Sequence, residues 1–258
     1  SLETFFGFRK FRAGQEDIVS RILRRNNLLA VMPTGSGKSL CYQLPALLLD
    51  GRTIVVSPLI ALMDDQVAQL QSLSLPSDKM HSHQTEEENR LVWRRFSNGT
   101  TKILYISPER LMTEKTLESL TKIPVEMFVV DEAHCISKWG PGFRPDYERL
   151  SEIGRIFPNA IIAAFTATAD SATRQDIVQQ LMAGNAEITV EGFDRPNLSL
   201  SVIFKTDWKR QLLQALEGRS GVSGVIYALS RKDTEVISNF LNTKGFQALP
   251  YHAGKEGK

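Results

Sequence analysis

Five short runs of the chain are almost wholly apolar: Leu28–Met32, Thr53–Ser57, Ile103–Ser107, Met127–Asp131 and Ile161–Thr166. Each is rich in Val, Ile, Leu or Phe. Continuous apolar runs of this length suit strands that helices cover on both faces, as in a parallel sheet. Between them the spacing turns helical. Ile18 with Ile22, and Val19 with Leu23, form one apolar stripe, with Arg21, Arg24 and Arg25 on the polar side. Val67 and Leu70 form another after Asp64 and Asp65. Leu40–Leu49 is nearly all apolar and reads as a buried helix that Pro45 should kink. Strands alternating with helices predict an α/β fold on a central parallel sheet.

The distinctive polar residues sit just after the strand runs: Pro33–Ser39, Ser57-Pro58, Ser107-Pro108-Glu109, Asp131–His134 and Thr166-Ala167-Thr168. In open α/β sheets the ligand crevice lies beyond the carboxyl ends of the strands. Any one cluster could be a turn. Five of them with specific chemistry describe one large site.

Composition narrows the class. The chain has 258 residues, 42% hydrophobic and 23% charged, which excludes disordered, collagen-like and disulfide-scaffold proteins. That length is more than one ordinary domain and less than two. The net charge of +2 divides as −2 over residues 1–197 and +4 over 198–258, so a nucleic-acid surface would be a local stripe. No apolar run approaches the ~20 residues that span a bilayer. The first residues lack a signal-peptide layout. Cys41 and Cys135 are the only cysteines, which fits a reducing, intracellular setting, cytoplasmic or nuclear. His81 and His83 have no cysteine partners and read as a polar loop rather than a metal site.

Met32-Pro33-Thr34-Gly35-Ser36-Gly37-Lys38-Ser39 follows a strand and opens a helix. Thr34, Gly35, Ser36 and Gly37 form a loop whose amides can turn toward phosphate oxygens. Lys38 supplies charge to the terminal phosphates, and the Ser39 hydroxyl is placed for Mg²⁺. The full phosphate-loop pattern has Gly at its first position, where this chain has Met32. A second strand delivers Asp131 and then Glu132. Asp131 suits a metal, and Glu132 suits orienting or deprotonating the attacking water. A strand-end helix cap is the plainer reading of Asp131.

Asp131-Glu132-Ala133-His134 resembles the motif of DEAH-type superfamily 2 helicases, and the wider chain resembles RecQ-family DNA helicases. The resemblance rests on Phe8–Gln15, Met32–Gln43, Ser57–Met63, Cys135–Gly140, Phe143-Arg144-Pro145, Phe165–Ala169 and Phe193–Asn197. It implies a RecA-like P-loop NTPase lobe over 1–197, followed by the start of a second RecA-like lobe over 198–258. It implies ATP and Mg²⁺ as cofactors, single-stranded and duplex DNA as partners, 3′→5′ movement and unwinding.

By that resemblance Phe8 stacks on adenine, Gln15 pairs with its edge and Arg12 supports the pocket. Phe8 and Phe11 could equally be core aromatics. Trp139, Phe143 and Arg144 resemble part of the family's aromatic-rich loop, which senses single-stranded DNA. This chain has Pro141-Gly142 where familiar members carry His-Asp, which removes a side chain able to exchange protons. Ser57, Pro58 and Ser107 resemble motifs that hold the DNA backbone. Thr166 and Thr168 resemble the motif coupling the two sites, a reading compatible with capping the next helix. Val225–Tyr227 and Ala248–Tyr251 read as strands of the second lobe, with a helix over Lys232–Lys244. The arginines expected late in that lobe are absent, so little unwinding is expected of these residues alone. A DNA-stimulated ATPase or switched DNA-binding module without unwinding, and a phosphate-loop kinase, are the alternatives.

Overall fold

A computed structural model of the chain describes residues 1–137, 144–192, 198–219 and 221–254. The chain divides into two compact units, Ser1–Arg195 and Pro196–Lys258. The first unit is built on seven parallel strands: β1 (Leu28–Val31), β2 (Arg52–Val56), β3 (Ser77–Met80), β4 (Ile103–Ile106), β5 (Val125–Val130), β6 (Ile161–Thr166) and β7 (Glu187–Val190). Their order is β3-β4-β2-β5-β6-β1-β7. Helices α1 (Leu2–Phe6) and α2 (Gln15–Leu23) precede β1, and α3 (Lys38–Leu48) follows it. Then come α4 (Ile60–Ser72) after β2, α5 (Glu86–Asn98) after β3, and α6 (Pro108–Leu111) with α7 (Glu114–Leu120) after β4. Helices α8 (Pro145–Glu148) and α9 (Ile153–Ile156) follow β5, and α10 (Ser171–Met182) follows β6.

The strands alternate their side chains between two cores. Leu29, Val31, Ile54, Val56, Phe128 and Val130 face one core with Val92 and Phe96 of α5 and Ile177 and Leu181 of α10. Leu28, Ala30, Val55, Val129, Ala163 and Phe165 face the other with Ile18 and Ile22 of α2, Tyr42 of α3 and Val67 of α4. Covering both faces is why these strands are apolar throughout. The stripe read on α2 is buried at Ile18, Val19 and Ile22, while Leu23 is exposed. Helix α3 stays helical through Pro45. An interior proline costs about 3 kcal/mol. Burial of Cys41, Tyr42, Leu44 and Ala46 along the same helix outweighs it.

The second unit departs from expectation. It contains α11 (Trp208–Leu216), capped by Asp207, and α12 (Arg231–Thr243), capped by Ser230. Trp208 packs edge-on against Phe240 with ring centres 5.3 Å apart. No strand forms at Val225–Tyr227 or Ala248–Tyr251. Val225, Tyr227, Leu249 and Tyr251 are exposed. A strand holds its shape only against a hydrogen-bonded neighbour, and among the described residues of this unit there is none.

Candidate nucleotide site

The strand order sets the geometry of the site. β6 lies between β1 and β5, so Thr166 emerges between the phosphate loop and the acid pair. Val31 is level with Thr166, and Val130 with Ala164. The loop after β1 and Asp131 after β5 are therefore two strand spacings apart, about 10 Å.

The loop curls through two left-handed glycines, Gly35 (φ 82°) and Gly37 (φ 87°). Ser36 closes the curl, its hydroxyl donating to Pro33 O at 2.7 Å. Gly37 is the N-cap of α3 and supplies no side-chain cap. The first-turn amides of Lys38 and Ser39 thus have no acceptor within the helix, which is the condition for anion binding at an 11-residue helix. Lys38 folds back over the loop, and its Nζ donates to Met32 O at 3.3 Å. Thr34 and Gly35 are exposed, and Ser39 is half-buried.

Gln15 and Arg12 are committed to this loop. Gln15 is buried, and its Nε2 donates to Ser36 O at 3.1 Å and Gly37 O at 3.2 Å. Its Oε1 accepts from Arg12 N at 2.9 Å. Arg12 Nη1 donates to Gly35 O at 2.8 Å. Both amide hydrogens of Gln15 are committed to loop carbonyls, so donating to an adenine edge requires the loop to release it, while Oε1 keeps a second lone pair. Phe8 is 55% exposed, a free aromatic face rather than a core anchor.

Asp131 is 8% exposed. Its backbone N–H donates to Val56 O at 2.9 Å and its Oδ1 accepts from Glu132 N at 3.0 Å. Burial pushes its carboxyl up to about 6, the nearby Glu132 charge adds to this, and Lys38 opposes it. Among the described residues no Lys or Arg forms an ion pair with it. A buried carboxylate with oxygen donors only, uncompensated by a side-chain cation, fits a hard divalent ion such as Mg²⁺. Glu132 has a left-handed backbone, φ 49°, rare for a residue with a side chain. It turns the chain into the 3-10 helix Ala133–Ile136. Tyr147, fully buried, anchors the same corner: its hydroxyl donates to Asp131 O at 3.1 Å.

His134 joins this corner to β6. Its Nδ1 lies 2.9 Å from Thr166 Oγ1 and 3.3 Å from Glu132 Oε2. Thr166 donates its own proton to Thr168 O at 3.1 Å and accepts from Thr168 N at 3.3 Å. Nδ1 must therefore carry the hydrogen toward Thr166. The Cys135 sulfur beside Nε2, and then Glu132, raise the His134 pKa to about 9. In return His134 holds the Glu132 carboxyl below the usual range. Thr166 O also accepts from Met32 N at 3.0 Å, so one strand end touches both halves of the site.

The other expected residues fall differently. Ser57 and Ser107 are buried, and neither hydroxyl has a partner or reaches the surface. Pro58 is half-buried and its carbonyl accepts from Arg144 Nη1 at 3.4 Å. Arg144 lies on that carbonyl and donates its N–H to Cys135 O at 2.8 Å. Trp139 and Phe143, with Pro141-Gly142, lie outside the described residues. His134 and Tyr147 were not picked out from the sequence as site residues. His134 was legible as the fourth residue of a strand-end polar cluster, but nothing in the sequence marks Tyr147.

No helix among the described residues is long and apolar enough to cross a membrane. The family model of DEAD/DEAH box helicases matches residues 12–177. The ATP-dependent DNA helicase RecQ of Pasteurella multocida is 44% identical over 255 residues, covering 99% of this chain and 40% of the relative. The ATP-dependent DNA helicase Q1 of Mus musculus is 37% identical over 267 residues, covering 99% of this chain and 41% of the relative. The chain thus spans about 40% of the length of these relatives. In fold it is similar to the crystal structure of the helicase MrfA, with a TM-score of 0.66 at 20% identity over 92% of this chain and 39% of that one. With a RecA-like parallel sheet, a phosphate loop, and an acid pair two strands away, the chain belongs to the DEAD/DEAH box helicase family.

Proposed function

We propose that the protein containing this chain hydrolyses ATP with Mg²⁺ to move 3′→5′ along single-stranded DNA and separate duplex DNA. The observation that carries this is the placement of Lys38 and Asp131 on either side of Thr166 at one sheet edge. The relatives named as ATP-dependent DNA helicases supply the substrate class.

In this reading the amides of Thr34–Ser39 and the Lys38 ammonium hold the triphosphate. Ser39 and Asp131 would hold Mg²⁺, which when bound neutralises charge on the terminal phosphates. Glu132, kept ionised by His134, accepts a hydrogen bond from the attacking water and orients it. Its lowered pKa makes it a weak base, so orientation is its larger contribution. Arg12 and Gln15 hold the loop, and Phe8 offers a face to the base. Thr166 and Thr168 transmit the state of the phosphate to the DNA side through His134. DNA would cross the ends of β2 and β4 near Ser57, Pro58 and Ser107, then reach Arg144, with Trp139 and Phe143 as the stacking aromatics that the resemblance implies. Because the two serine hydroxyls are buried, contact there falls to backbone groups and Arg144, which read no sequence.

Residues 1–258 alone are expected to bind ATP weakly and unwind little. The second unit leaves Leu200, Val202, Phe204 and Tyr227 exposed rather than folded into a sheet. The test is Lys38→Ala in the complete protein, assayed for ATPase with and without single-stranded DNA. Loss of both rates is the expected result, and retained hydrolysis would sink the assignment. An unwinding assay on the same protein separates a helicase from a translocase.

A further inference from the structure

At the far end of the sheet from the phosphate loop, β3 and β4 run in register with Met80 opposite Ile106. His81 and Ser107 therefore leave their strands side by side, and Ser107 N donates to Met80 O at 3.3 Å. Three buried polar atoms here have no hydrogen-bond partner: Ser107 Oγ, His81 Nε2 and Asn89 Oδ1. His81 Nε2 lies 3.5 Å from Asp64 Oδ1, outside hydrogen-bond geometry. Asn89 is 9% exposed, and its Nδ2 closes the start of α5 by donating to Thr85 O at 3.0 Å and Gln84 O at 3.3 Å. That cap uses the nitrogen; the oxygen, like the Ser107 hydroxyl, does not reach the surface.

A cavity of about 420 Å³ opens here between α5 and the α6–α7 segment, lined by Asn89 and His81. Trp93 gives it an aromatic wall, and Arg90, Arg110 and Lys115 give it three cations. The one carboxylate on its lining, Glu86, pairs with Arg90 at 3.2 Å. Arg110 and Lys115 are exposed, and neither forms an ion pair among the described residues. Two available cations at the mouth beside an aromatic wall match one kind of ligand: a flat ring attached to phosphate. The volume is that of a small-ligand pocket. β4 stands four strand spacings from β1, about 19 Å, so this cavity is not part of the phosphate-loop site.

We propose that this cavity receives one nucleobase of a single DNA strand crossing the strand ends, stacked on Trp93. Its flanking phosphates lie on Arg110 and Lys115. The inference rests on the DNA reading above and adds a base-holding step to it. A seated base would fix the strand at one point while the rest of the track contacts only backbone.

The test walks a single abasic residue along an oligodeoxynucleotide and measures binding to the complete protein by fluorescence anisotropy. One position is expected to lose about tenfold in affinity, within the range for one stacked base. In Trp93→Leu that penalty should vanish, with ATPase measured without DNA unchanged. Lys115→Glu should weaken all oligonucleotides evenly. Trp93 also packs on the core, so Trp93→Phe, checked by thermal melting, serves as the second variant: it keeps an aromatic face and should retain the position-specific penalty. A flat abasic profile, a penalty that survives Trp93→Leu, or one that Trp93→Phe also loses, overturns the pocket. Displacement of the strand by free deoxymononucleotide with a flat profile overturns it in favour of a free-nucleotide site. A protein that binds no single-stranded DNA overturns the underlying DNA reading instead.

Discussion

Nδ1 of His134 donates to the Thr166 hydroxyl across 2.9 Å, and this bond ties the turn after the acid pair to the strand beside the phosphate loop. Thr166 sits between the two because β6 is inserted between β1 and β5. Removing the hydroxyl while keeping the shape tests whether the bond transmits or merely packs. Thr166→Val is predicted to leave the KM for ATP within twofold. Its stimulation by single-stranded DNA should fall by roughly tenfold, as expected for a buried hydrogen bond left unpaired. Steady-state ATPase with and without DNA measures both, and undiminished stimulation would show that the bond carries no signal.

The same histidine predicts a pH dependence. Its pKa is raised to about 9, first by the Cys135 sulfur and then by Glu132, against ~6.5 for a free imidazole. A group raised on folding stabilises the fold fully below its unfolded pKa, and that contribution is lost as pH rises through the folded value. The stability difference between the wild type and His134→Gln should therefore be largest near pH 6, about 1–2 kcal/mol after allowance for solvent screening. It should fade by about pH 9.5, one half-unit past the folded value. Urea titrations across that range decide it, and a difference flat with pH would show that His134 is neutral in the fold.

Asp131 predicts the opposite use of a mutation. Its carboxyl is raised to about 6 by burial, against ~3.9 unfolded. Stability linked to it is thus complete below the unfolded pKa and lost as pH rises through about 6, where the fold must hold a buried charge. Without metal or nucleotide, Asp131→Asn should be more stable than the wild type at pH 7.5 by about 1–3 kcal/mol. The gain should disappear at pH 4, and ATPase should be abolished. A variant less stable than the wild type at pH 7.5 in EDTA would mean that the charge is already compensated.

What could be read from the chain beforehand follows from burial. The five central strands announced themselves because helices cover both faces of each. β3 and β7 did not, because they form the two edges of the sheet. β7 alternates between half-buried and exposed. β3 carries Asp78 in a buried position that Arg95, 17 residues away, makes tolerable through bonds of 2.6 and 2.9 Å, with the Thr101 hydroxyl donating to the same carboxylate. The strand-end clusters were legible because a parallel sheet sends every carboxyl end to one edge. Gln15 was legible as a site residue, but its bonds to Ser36 and Gly37 span 21 and 22 residues. No local pattern encodes such a contact, nor the burial of Ser57 and Ser107. The strands expected at 225–227 and 248–251 failed for a related reason: apolar alternation needs a neighbouring strand to become structure.

Tyr147 gives a test of the acid-pair corner. Its hydroxyl holds Asp131 O at 3.1 Å, immediately before the left-handed Glu132. Tyr147→Phe keeps the ring in the core and removes one hydrogen bond, with an expected stability loss of about 1 kcal/mol. Glu132 then loses a fixed point of its strained turn. The predicted signature is a several-fold drop in kcat with KM for ATP unchanged, since the phosphate loop is untouched. Equal changes in both constants would indicate general loosening rather than misplacement of Glu132.

Gly35 and Gly37 share a left-handed backbone but differ in surroundings, so their alanine variants should separate. A Cβ at Gly35 meets nothing within 4 Å, and alanine there bears only the backbone strain, about 1–2 kcal/mol. A Cβ at Gly37 collides with Gln15 Nε2, the group that holds the loop carbonyls. Gly37→Ala must bear the same strain and also displace the amide, leaving a buried donor unpaired for a further ~1–3 kcal/mol. Gly37→Ala should therefore melt at a lower temperature than Gly35→Ala. Combining each with Gln15→Ala sharpens the result: the second substitution should cost less in the Gly37→Ala background, where the amide is already displaced, and its full amount in the Gly35→Ala background. Strict additivity in both would show that Gln15 does not brace the loop through Gly37.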